Sequence, residues 1–192
     1  MKLQSWWLTG MWLAATAVCL GNEDSLTVVV LNYAGVETQM LERAAGLSRG
    51  LCQRMGVEST WLVCPRPEEC VPPPVGTYVR MIVAPQPKGR VLGHAITDSM
   101  ANGNPMVYAF HGPVTELALR VRYPVWMVLA RVMVHEVLHL FGLNHTPHGI
   151  MRATIDSQEL ADLASGPLLV PSQVKRVRDG LAQLRPSLVA AR

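Results

Sequence analysis

Residues 135–151 read HEVLHLFGLNHTPHGIM, and they close a stretch from Pro124 to Phe141 whose only charged residues are Arg131 and Glu136. A segment apolar on nearly every side predicts a buried central helix, with Pro124 at its first turn and Gly142 as its breaker. On such a helix His135 and His139, four apart, project from one face a turn apart. Gly142 then permits a sharp turn, because glycine adopts positive φ without steric cost, and the turn brings His145 back toward the pair. Three neutral imidazoles so placed suit one tetrahedral Zn²⁺ whose fourth position stays open, the arrangement of a reactive site rather than a closed structural one. Glu136 leans toward the same pocket and is placed to handle a water on the metal without ligating it. His148, three beyond His145, is the weaker third ligand, since the spacing favours His145. Ordinary core histidines are the alternative. Burying two of them with a glutamate, unpaired, in so apolar a helix would be costly.

Outward from this segment, the chain alternates strands and helices. Leu26 to Tyr33 (LTVVVLNY) is a β-branched run that predicts a buried strand. Glu37 to Met55 has helical spacing, and Val57 to Cys64 predicts a second strand, ended by a proline-rich loop to Gly76. Thr77 to Ala84 alternates as a third strand. Leu92 to Ile96 is a short candidate edge strand, and Pro105 to His111 another strand. Beyond the central helix, two weaker helices are expected at about Ser157 to Ala164 and Pro171 to Leu184. The expected fold class is α/β: a mixed twisted sheet, a central active-site helix and a small helical C-terminal part.

Composition narrows the classes of function. The 192 residues are 49% hydrophobic and 16% charged, with a formal net charge of +3 spread along the chain. This is a globular composition, and without a dense basic stripe it gives no support to a nucleic-acid partner. Lys2 followed by the apolar run Trp6 to Leu20 reads as an export signal over residues 1–21, too short to span a bilayer comfortably. Residues 22–192 are then one domain, secreted or periplasmic, without stable membrane insertion after the signal is removed. Cys52, Cys64 and Cys70 remain. Cys64 and Cys70 bracket the short loop CPRPEEC and are the expected disulfide in an oxidising compartment, with Cys52 a buried thiol.

HEVLHLFGLNH resembles the extended zinc signature of the metzincin metallopeptidases, and Met151 stands where that family has its Met-turn. The chain as a whole is similar to small, uncharacterised exported bacterial zincins with a Gly-Ile-Met-Arg turn. The resemblance implies a zinc-dependent endopeptidase with one Zn²⁺ per chain on His135, His139 and His145, and Glu136 as general base. A weaker likeness, Leu92-Gly93-His94-Ala95, is similar to the family's upper-rim edge strand, which binds extended substrate antiparallel. The expected partner is a peptide or protein substrate, and the chain is expected to be a monomer. Some features depart from the pattern. Five residues separate His145 from Met151, a trimmed loop, and no tyrosine follows Met151 as an extra ligand. The archaemetzincin branch has further zinc-binding cysteines after the motif, and this chain has none after Cys70, which sets it apart from that branch. The rival reading is an exported zinc-binding protein or interaction module without proteolytic activity, in which Glu136 would have no task. A membrane-embedded zinc protease would need more spanning segments than the chain offers.

Overall fold

The computed structural model describes residues 25–73, 78–86, 91–100 and 103–183. The expected signal segment 1–21 lies outside the described residues. Five strands form one sheet: β1 (Leu26–Asn32), β2 (Ser59–Cys64), β3 (Val79–Ala84), β4 (Gly93–Ile96) and β5 (Met106–Phe110). Their order is β2-β1-β3-β5-β4. The first four in that order run parallel, and β4 lies antiparallel to β5 at the edge. The parallel strands carry the β-branched runs, as expected of strands covered by helices. Val28, Val29 and Val30 in β1 are fully buried, as are Val79, Met81 and Val83 in β3.

Among the described residues, five α-helices accompany the sheet: α1 (Thr38–Arg54), α2 (His111–Val121), α3 (Val125–Leu140), α4 (Ser157–Asp162) and α5 (Pro171–Gln183). The fold class expected from the sequence, a mixed α/β sheet with a central helix, is the one observed. α3 packs against α1, α2, β4 and β5, which accounts for its apolar circumference. All residues from Val128 to Leu138 are buried. Among the described residues, no helix is long and apolar enough to cross a membrane.

The chain after β5 differs from the sequence expectation. His111 ends no strand: it opens α2, a helix the residue pattern had not announced. Gly112-Pro113 suggests a break, yet both lie in the first turn, where backbone N–H groups lack intrahelical partners and proline costs nothing. The last helix is described only to Gln183, so its expected end at Leu184 lies outside the described residues. The disulfide is found at Cys64–Cys70, with Cα atoms 5.6 Å apart, and Cys52 is free and buried. Burial pushes the Cys52 thiol up to about 11, so it stays protonated and unreactive.

Candidate metal centre and its cleft

α3 places His135 and His139 on one stripe, and the chain leaves the helix through Gly142 at φ +71°. Gly142 N–H bonds the His139 carbonyl at 3.0 Å, closing the turn that returns His145 to the stripe. The three Nε2 atoms converge: His135 and His139 are 3.0 Å apart, and His145 stands 3.2 Å from each. Among the described residues, these are the histidines and acids grouped closely enough to hold a metal ion, and His148 is not one of them.

The ring protons show that this cluster suits a cation. His135 Nδ1 donates to the Ile150 carbonyl at 2.8 Å, and His139 Nδ1 to the Leu143 carbonyl at 2.7 Å. Each ring thus keeps its proton on Nδ1 and turns a lone pair inward at Nε2. Lone pairs facing one another at this range repel unless a cation lies between them. Tetrahedral zinc with Zn–N of about 2.0–2.1 Å separates its nitrogens by about 3.3 Å, close to the distances found. Burial, helped by the nearby Arg131 charge, pulls His135 down to about 3, and burial also lowers His139. Both rings are therefore neutral at physiological pH, the form that ligates.

Glu136 is buried beside this cluster, and burial pushes its carboxyl up to about 7, with Arg131 opposing the rise. Above it runs β4. A Cβ on Gly93 would fall 2.5 Å from Glu136 Cγ and 2.7 Å from its Cδ, so only glycine lets the edge strand lie this close. Phe110 N–H bonds the Leu92 carbonyl, so Leu92 turns its backbone toward β5. By antiparallel alternation, Gly93 and Ala95 turn theirs to the free edge. Leu92 and Gly93 border the pocket beside the histidines, whereas His94 is exposed, Ala95 is half-buried, and neither lines it.

Met151 is fully buried. The carbonyl of its neighbour Ile150 accepts the hydrogen bond from His135 Nδ1, so the turn after His145 is tied directly to a ring of the cluster. A second tie was not foreseen from the sequence. Arg131, one turn before His135 on the same stripe, is 1% exposed and pairs with Glu159 of α4 at 2.7 Å. It also donates to the carbonyl of Arg152. Burial drives Arg131 down and Glu159 up, and their mutual attraction opposes both shifts. The signal was present: a lone arginine in an apolar helix requires a buried acid elsewhere. Arg152 itself pairs with Asp156 at the surface. Asp156 in turn caps α4 by accepting from Glu159 N–H at 2.9 Å.

Fold and site together place the chain among α/β structures with a helix-borne, metal-competent histidine cluster, and solved zinc-dependent peptidases share this fold. A zinc-dependent peptidase from Methanocorpusculum labreanum (strain Z) superposes with a TM-score of 0.55 at 12% identity, covering 78% of this chain and 99% of that one. Archaemetzincin (amzA) from Methanopyrus kandleri gives 0.53 at 13% identity, covering 85% of this chain and 99% of its own. At these identities the likeness is one of fold. It extends to an archaemetzincin even though this chain lacks cysteines after Cys70, so the cysteine difference does not separate the folds. No family model matches the chain, and no curated protein matches it in sequence.

Proposed function

We propose that this protein is a zinc-dependent endopeptidase, exported through residues 1–21 and acting as a monomer on peptide or protein substrates. The observation that carries the reading is the set of three converging Nε2 atoms, with the Nδ1 protons of His135 and His139 committed to backbone carbonyls and a buried carboxyl alongside. Zn²⁺ held there would lower the pKa of a water toward about 7 and polarise the scissile carbonyl. Glu136 would serve as the base that accepts a proton from the attacking water and as the acid that returns it to the leaving amine. A carboxyl held near 7 by burial suits both transfers, since it accepts and releases a proton close to neutrality. The outward backbone groups of Gly93 and Ala95 add the substrate as an antiparallel strand. A peptide in that direction lays the residues after the scissile bond over the start of β4, where the pocket opens.

The test is elemental analysis of the purified protein together with turnover of a mixed peptide library. One zinc per chain is expected, with cleavage that a chelator abolishes and added zinc restores. Bound zinc without cleavage of any peptide would leave a binding protein and overturn the peptidase reading. Absence of zinc would overturn the whole reading.

A further inference from the structure

The pocket beside the histidines also bears on what is cleaved. We propose that it is a subsite for an acidic side chain, an aspartate or glutamate on the C-terminal side of the scissile bond. This rests on the peptidase reading above. The pocket has a volume of about 500 Å³, and its lining includes two guanidinium groups, Arg120 and Arg131, with Glu136 as the one acid. Arg120 sits in the last turn of α2, exposed, and makes no ion pair among the described residues. Exposed Arg66 and Lys175 pair with Glu69 and Asp179, whereas Arg43, Arg49 and Arg122, like Arg120, make no ion pair among the described residues; what sets Arg120 apart is its place on the pocket.

Arg131 lies one turn before His135 and forms part of the buried wall. Its Nε and Nη2 are bound to Glu159, and Nη2 also to the Arg152 carbonyl, while Nη1 makes no hydrogen bond among the described residues. Glu159 neutralises the charge of Arg131 but leaves that donor open, and among the described residues no acid pairs with Arg120. Leu92, Leu117, Val132 and Ile155 are among the apolar side chains of the lining. Apolar walls lower the local dielectric and strengthen a charge-assisted bond between guanidinium and carboxylate. A lysine side chain would instead bring a third cation against the two arginines. The pocket therefore selects by charge.

The probes are four hexapeptide pools, identical except for Asp, Glu, Leu or Lys after the scissile bond, with cleavage positions mapped by mass spectrometry. Acidic pools are expected to exceed the Lys pool in kcat/KM by roughly ten- to hundredfold, the scale of a hydrogen bond to a charged group. The ratio should shrink as salt rises, because Arg120 is exposed. Arg120→Glu should invert the ratio with zinc content unchanged. Fluorescence anisotropy of the same peptides on zinc-loaded Glu136→Ala reads binding without turnover and should give the same order. Equal binding and equal turnover of acidic and Lys pools would overturn the acidic subsite and leave the peptidase reading standing. Acid-selective binding, with no pool cleaved by the unmodified protein, would do the reverse.

Discussion

His135 meets two requirements with one ring. Its Nδ1 proton goes to the Ile150 carbonyl, which fixes the tautomer, and its Nε2 lone pair is left for a metal. Burial reinforces this by holding the ring at about 3 against an ordinary 6.5, and it lowers His139 in the same direction. The sign follows directly. A depressed pKa keeps the ligating, neutral form populated as pH falls, so protons displace zinc only at acidity beyond the usual imidazole range. Zinc should therefore remain on the protein after dialysis at pH 5.5, measured by elemental analysis, and leave only at lower pH. Release centred at or above pH 6.5 would show rings that titrate as free imidazoles. Much of this scale was legible in the sequence, because the spacing of His135, Glu136, His139 and Gly142 is local and helix geometry converts it directly into space. The backbone partners of the rings were not legible. Ile150 and Leu143 offer carbonyls, and any residue type does that.

Between elements, the closest approach at the site is β4 over α3. Gly93 faces Glu136 with no room for a methyl group, so the edge strand and the carboxyl fix each other's position. Gly93→Ala should force either the strand or the carboxyl to move. Misplacement of a reacting group by about 1 Å costs on the order of 10²-fold in rate. A fall in kcat of that order is expected, with zinc content and helical circular dichroism unchanged. Unaltered kcat would mean that β4 does not set the position of Glu136. The sequence pointed to this edge strand from only five residues, Leu92 to Ile96, but the reason for its glycine, contact with the Glu136 carboxyl, needed the structure. α2 was missed for a different reason. Val114, Leu117, Ala118 and Val121 do have helical spacing, with the first three buried. The Gly-Pro pair in front of them is a break signal in mid-helix and harmless in the first turn, and the pattern alone does not distinguish these settings.

Across the whole molecule, the cleft is assembled from segments far apart in the chain: 91–93 at the edge strand, 117–120 from α2, 131–136 from α3, His145, and 153–155 beyond Met151. No local pattern announces such a pocket, which is why the three histidines were readable from sequence and the cleft wall was not. The Arg131–Glu159 pair ties α3 to α4, and the bond from Arg131 to the Arg152 carbonyl ties α3 to the turn carrying Met151, so the histidine cluster and the cleft wall share one buried support. The central claim about this assembly is a division of labour: histidines hold the metal, and Glu136 moves the proton. The most direct test is kcat per zinc-loaded molecule for Glu136→Ala against the unmodified chain, on the best peptide from the library. General acid–base catalysis contributes ~10²–10⁴-fold, and one residue serving both transfers belongs at the upper end. The variant should retain one zinc per chain and the same fold while kcat falls by about 10³–10⁴-fold. Comparable kcat per bound zinc, or loss of zinc along with the carboxyl, would contradict the account.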